Sequence, residues 1–464
     1  MPLRGRVGRH ASTGKHCQNW KNDQQYVIAL LNRFPAEYGG AAGNLNGRIV
    51  AGIASDALYQ AITRFQKHQV PIQTGFVGPG DLSLQVLERN AAAPAAPAQL
   101  RPAGQWDNVG TKAVNKALRE TLKDQQLSHA DAVSIVRSTL SDGMITPFEM
   151  DDLKKVANAS KSLPPRSKKL LTLLAEKVSD SEKTKGPFWL RSDRHKFAAE
   201  MVCDFLERSG ASKFPNLDRD EVGVGMLMRI TNPGLVDQDE GSLCGPAALL
   251  FGVLNDAPVA YARYAIDLFE KGKAKLYKLE IEPSKDCRNF RPPASMAHVD
   301  WLTMASLRDS ESWFLDYDSV SEIKGGLQGI TTPREIARWF KRAGFSDIRN
   351  GVGNGIMPDE QLMDVVTQKD AGTVNDANKL FGQGYRVCLF INAGMLKEAE
   401  QAEAGTIFDR HWVVQQSLID LSNGKVRLQV FTYGTGKQQI PQGNTDLLHA
   451  HFFQNFFGYI AAKW

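Results

Sequence analysis

Apolar residues recur at helical spacing through the first third of the chain, and short β-branched runs replace them later. Val27, Leu30, Leu31 and Phe34 fall on one helical face and Leu58, Ile62 and Phe65 on another, with Ser55 placed to cap the second. The pattern continues through Val114, Leu118 and Leu122, then Ala132, Ile135, Val136 and Leu140, then Leu153 and Val156, then Leu170, Leu171, Leu174 and Val178. From residue 186 onward six of the eight tryptophans appear, and runs such as 385–392 and 409–414 predict strands. The expected class is α+β, with helical N-terminal modules ahead of a larger C-terminal domain.

Residues 91–102 alternate Ala with Pro, a composition that stays extended and marks a domain boundary. The expected organisation is a flexible basic arm over 1–23, a helical domain over 24–90, an Ala/Pro linker over 91–104, a helical spacer over 105–185 and a large C-terminal domain over 186–464. Within the spacer, Asp142, Gly143 and Glu149 imitate the second half of a calcium loop. Leu140 would occupy a ligand position that needs a side-chain oxygen, so a helix-turn-helix is expected there instead.

Charge changes this picture little. There are 56 basic and 51 acidic residues, and Arg4, Arg6, Arg9, Lys15 and Lys21 account for the whole excess, leaving the remainder formally neutral. Without interleaved aromatics this arm is expected to be solvated, and no nucleic-acid partner is expected. No apolar run approaches the roughly 20 residues that cross a bilayer, and Gly5, Gly8, Arg9 and His10 interrupt any secretory core, so synthesis in a cytoplasm without a signal peptide is expected. The five cysteines are odd in number and widely spaced, which argues against a disulfide framework and paired zinc ligands; no cofactor or metal is expected.

The wording from Asn46-Gly47 through Ser55, Ala61-Ile62, Phe65-Gln66 and Gly75-Phe76-Val77-Gly78-Pro79 to Leu84 and Leu87 resembles the peptidoglycan-binding-like domain found beside bacterial cell-wall enzymes. The resemblance covers most of 24–90 and implies affinity for the cell wall.

Candidate chemistry concentrates in Gln238-Asp239-Glu240-Gly241-Ser242-Leu243-Cys244-Gly245-Pro246-Ala247-Ala248. Pro246 is tolerated in a first helical turn, and Leu249, Leu250, Val253 and Leu254 continue a helix, so Cys244 falls at a helix N-terminus, where the dipole favours a thiolate. Gln238 and the Cys244 N–H are the expected oxyanion donors. Of nine histidines, His411 is the expected base, because Asp409-Arg410-His411-Trp412-Val413-Val414 opens a buried strand.

This arrangement resembles papain-like cysteine peptidases, in particular the branch of bacterial peptidases that cleave double-glycine leaders. The shared features are Gln, five intervening residues and Cys-Gly-Pro-Ala-Ala-Leu, then a helix opened by Thr332-Pro333-Arg334-Glu335, a strand, and His-Trp-Val-Val. The resemblance implies a papain-like cysteine hydrolase domain, with the cysteine helix packed on an antiparallel sheet, and an insertion between about 270 and 325. Families of this kind place Asn or Asp on the strand after the histidine. Here 426–434 offers Gln429, Thr432 and Tyr433, so the third member is Thr432, Gln429 or none.

A wall-binding-like module joined to a cysteine hydrolase without a signal peptide resembles antibacterial effectors of type VI secretion. That implies delivery into a neighbour's periplasm, a cognate immunity protein, a secretion-apparatus partner, and a peptidoglycan or protein substrate. An acyltransferase or glutamine deamidase on the same scaffold, and a noncatalytic adaptor, remain open alternatives.

Overall fold

The computed structural model describes residues 3–33, 41, 45, 49–69, 73–91, 109–121, 127–159, 163–184, 188–239, 241–311, 331–352, 368–396, 410–433, 436–442 and 446–464. They divide into two compact units, Met1–Trp189 and Leu190–Trp464.

In the first unit, α1 (Lys21–Arg33), α2 (Asp56–Gln69) and α3 (Leu82–Ala91) bury Val27, Leu30, Leu31, Leu58, Ile62, Phe65, Leu84 and Leu87 in one cluster. Ser55 caps α2 by accepting the Leu58 N–H at 3.2 Å. Fully buried Gln66 ties the segment after α2 to the helices: its Nε2 lies 2.9, 2.8 and 2.9 Å from Thr74 Oγ1, Phe76 O and Ser83 Oγ, and its Oε1 accepts the Gly75 N–H at 2.8 Å.

The basic arm, expected to be flexible, is packed against the helices. Leu3 and Val7 enter the same cluster, β1 (Val7–Gly8) pairs antiparallel with β2 (Phe76–Val77), and Asp23 Oδ2 accepts the Gly5 N–H at 2.8 Å. His16 Nδ1 accepts the Ala54 N–H at 3.1 Å, which fixes the ring beside Cys17. Two apolar side chains among the cations suffice to draw the segment in, while Arg6 and Arg9 lie over the rings of Phe76 and Tyr59.

The helices expected as a separate spacer, α4 (Lys112–Thr121), α5 (His129–Leu140), α6 (Pro147–Ala159) and α7 (Pro165–Thr184), belong to this unit as well. Met144, between α5 and α6, is buried in the cluster of the preceding helices, with Phe148 and Trp189 packed against it. The stretch 92–108, which holds most of the expected linker, lies outside the described residues. Glu149 accepts the Thr146 N–H and hydroxyl at 2.9 and 3.0 Å, so its carboxylate closes the first turn of α6.

The second unit opens with α8 (Asp193–Glu207), α9 (Arg219–Thr231), α10 (Cys244–Asp256) and α11 (Pro258–Lys271), followed by the hairpin β3 (Ala274–Leu276) and β4 (Leu279–Ile281). A helical run, His298–Asp300, the π-turn Trp301–Ala305 and Ser306–Glu311, packs against α9 and α10. Next come α12 (Pro333–Arg342), closed by the expected Thr332/Glu335 capping box, β5 (Asp347–Asn350) and α13 (Ala371–Gly382). The remaining strands are β6 (Arg386–Asn392), β7 (Arg410–Gln415), β8 (Lys425–Val426), β9 (Leu428–Thr432), β10 (Gly436–Ile440), β11 (Leu447–Leu448) and β12 (Phe456–Lys463).

Six of these strands form one antiparallel sheet in the order β10-β9-β7-β6-β12-β5. Alternation along them builds two apolar faces. Val387, Leu389, Ile391, Val413 and Val430 meet Val374 and Ala377 of α13. On the other face Phe251 of α10 stacks on Phe431 at 4.2 Å and Phe390 on Trp412 at 4.4 Å. The class is thus α+β, with α10 laid across an antiparallel sheet. Among the described residues no helix is long and apolar enough to cross a membrane.

Gln66→Leu keeps the volume but strands the Gly75 N–H and removes a donor from Phe76 O, Thr74 Oγ1 and Ser83 Oγ. It is expected to cost about 2 kcal/mol or more in urea unfolding, and an unchanged midpoint would count against the hub.

Candidate functional site

Cys244 is the first residue of α10 and is 6% exposed. Pro246 costs nothing there because first-turn N–H groups have no helical acceptor. The sequence also places glycine where none other fits: a Cβ on Gly245 would lie 2.2 Å from Thr331 Oγ1. Thr331 therefore packs directly over the helix start, and its carbonyl accepts the Trp412 indole N–H at 2.8 Å.

Burial pushes the Cys244 thiol above its usual range, opposed by the Trp412 N–H, by the charge of Arg308, and by the N–H groups of Gly245 and Cys244 itself. The Trp412 contact follows from the sheet. The β7–β9 ladder ends at Val414–Phe431, and past that end the Trp412 N–H points to the sulfur.

His411 is one residue further along β7, opposite Ile391 of β6. Its Nε2 lies 3.4 Å from Thr432 Oγ1, a long hydrogen bond, and its ring meets the Tyr433 ring edge-on at 5.6 Å. Nδ1 is left free of hydrogen-bond partners among the described residues. Burial pushes the imidazole down to about 4, so it is neutral near pH 7. Gln429 makes no contact of this kind, since its N–H donates to Ser417 Oγ at 2.8 Å.

Buried Tyr433 lies near both candidates: its ring meets the His411 imidazole edge-on, and it lies within electrostatic reach of the Cys244 thiol. No hydrogen bond joins the two. Near pH 7 both groups are neutral, a thiol and an imidazole.

Gln238 stands at a turn closed by the Gly241 N–H, which donates to the Gln238 carbonyl at 3.0 Å. Its side-chain Oε1 is buried without a partner, and its Nε2 donates to no described group. That leaves an amide donor open.

Three participants escaped the sequence reading. Arg308 lies within the segment treated as an insertion and Thr331 just after it, and the Trp412 donor is a backbone group invisible to composition. The glycine after Cys244 was the available signal, since a close neighbour is what forbids a side chain there. Cys203, Cys287 and Cys388 are fully buried. A groove of about 910 Å³, lined by Arg194, Pro258, Arg263, Lys273, Tyr277 and Trp464 among others, contains neither Cys244 nor His411. Among the described residues no group of three or more His, Cys, Asp or Glu is arranged to hold a metal. No family model matches the chain, and no curated protein or solved structure matches it.

Burial holds both His411 and His195 near 4, below the 6.5 of a free imidazole. Between those values the unfolded chain binds protons that the folded chain does not, so stability falls as pH drops from about 6.5 to about 4 and is independent of these groups above that window. Urea midpoints measured from pH 4 to 7 should show this slope. His195→Asn and His411→Asn should each flatten it; equal slopes in all three proteins would contradict the burial of these rings.

Proposed function

We propose that the second unit is a papain-like cysteine hydrolase that cleaves an amide bond, with Cys244 as nucleophile and His411 as base. The observation that carries this reading is the placement of Cys244 Sγ at a buried helix start under the Trp412 N–H. His411 immediately precedes Trp412 on β7 and its Nε2 lies 3.4 Å from Thr432 Oγ1, and in this reading Nδ1 receives the thiol proton. An orienting group on one imidazole nitrogen and a nucleophile for the other is the arrangement that activated nucleophiles use.

In the first step His411 takes the thiol proton as sulfur attacks the substrate carbonyl carbon. Gln238 Nε2 and the Cys244 N–H receive the oxyanion, the carbon–nitrogen bond breaks, and the amine leaves with the proton from His411. Water, deprotonated by His411, then cleaves the thioester and releases the acid. Because the thiol starts protonated, alkylation of Cys244 by iodoacetamide should accelerate with pH up to and beyond 9, and it should outpace Cys203, Cys287 and Cys388.

Delivery into a neighbouring bacterium's periplasm, with the first unit binding wall, belongs to the same proposal. Expressed in a sensitive host with an appended periplasmic signal, the wild-type protein should arrest growth. Cys244→Ala and His411→Ala should abolish that arrest, and Gln238→Ala should slow turnover by about 10²- to 10³-fold. Thr432→Ala should cost about tenfold. Equal toxicity of wild type and Cys244→Ala would remove the enzymatic reading in favour of an adaptor.

A further inference from the structure

Building on the hydrolase reading, we infer that Asp300 is a positioning residue for the oxyanion site: its carboxylate, clamped by Arg229, fixes the peptide on which Gln238 stands. Asp300 is 1% exposed and Arg229 8%. Arg229 Nε donates to Asp300 Oδ1 at 2.9 Å and its Nη2 donates to Oδ2. The same Oδ2 accepts the Asp237 N–H at 3.1 Å.

This ion pair bridges α9 and the helical run that begins at His298, yet an apolar pair would join two helices at least as well, because desolvating both charges is unfavourable. What an apolar pair could not do is hold the Asp237 N–H. From that anchor the turn is built in sequence. The Asp239 N–H donates to Asp237 Oδ1 at 2.8 Å, Ser295 Oγ donates to Asp239 Oδ2 at 2.7 Å, and the Gly241 N–H returns to the Gln238 carbonyl. Asp239 itself takes a left-handed backbone, φ +53°, which needs such support. Gln238 therefore sits between two fixed neighbours, with its amide oxygen enclosed and its Nε2 left to donate.

The test separates oxyanion geometry from thiol reactivity. p-Nitrophenyl acetate is attacked at its carbonyl carbon by the Cys244 sulfur; nitrophenolate leaves with the bonding electron pair, and an oxyanion forms on the way. Iodoacetamide alkylates the same sulfur by displacing iodide and forms no oxyanion. Asp300→Asn, which presents an NH₂ either to Arg229 Nε or to both Arg229 Nη2 and the Asp237 N–H, should slow acylation about tenfold or more and leave alkylation within about twofold. In a Gln238→Ala background the same change should slow acylation no further, because the two act through one group. Wild-type acylation in Asp300→Asn, or an undiminished effect in the Gln238→Ala background, would overturn the inference. If Asp300→Asn does not fold, Arg229→Lys, which keeps the charge and loses the fork, should give the same pattern in smaller measure, and wild-type acylation there would overturn it equally. Should wild type acylate no faster than Cys244→Ala, the hydrolase reading falls. Hydrogen exchange at the Asp237 amide then decides the tether: faster exchange in Asp300→Asn upholds it, and unchanged exchange overturns it.

Discussion

The second unit is organised by the burial of one tryptophan at the end of an unfinished strand pairing. Trp412 stacks on Phe390, donates its indole N–H to Thr331, and sends its backbone N–H to the thiol of Cys244. A sheet, the start of a helix and the segment leading into a second helix thus meet on one side chain. Had β9 continued alongside β7, that N–H would have a strand carbonyl for a partner and no reason to face sulfur. The β7–β9 ladder stops at Val414–Phe431, short of Trp412 and His411.

Around that point the protein accumulates polar groups that an apolar core would not tolerate alone. Arg308 and Thr331 close over the helix start, Tyr433 buries its hydroxyl without a partner, and Gln238 does the same with its amide oxygen. Unsatisfied buried groups are expensive, whereas at the sheet's edge the Tyr385 hydroxyl is satisfied by Asp347 at 2.6 Å.

The sequence made the local features readable because local chemistry decides them. The capping box at Thr332, the helix opened by Cys244-Gly245-Pro246, and the strand carrying His411 each depend on a few neighbouring residues. Thr432 was one of the alternatives left open; only the distances separate it from Gln429, because the choice depends on how β9 splays. The first unit shows the opposite case. Leu3 and Val7 were hidden among arginines, and Met144 looked like part of a turn, yet all three join a core whose other members lie far away in sequence. Compaction of that kind is a long-range outcome, and periodicity, which reports only near neighbours, does not encode it.

A cysteine that rests protonated has a chemical temperament of its own. Thiolates, not thiols, attack peroxide and disulfide, so a thiol held above its usual range by burial resists sulfenylation and mixed-disulfide formation. On the proposed mechanism, a nucleophile activated only when a carbonyl arrives beside a neutral imidazole would keep its sulfur reduced in oxidising surroundings that silence a permanently ionised one.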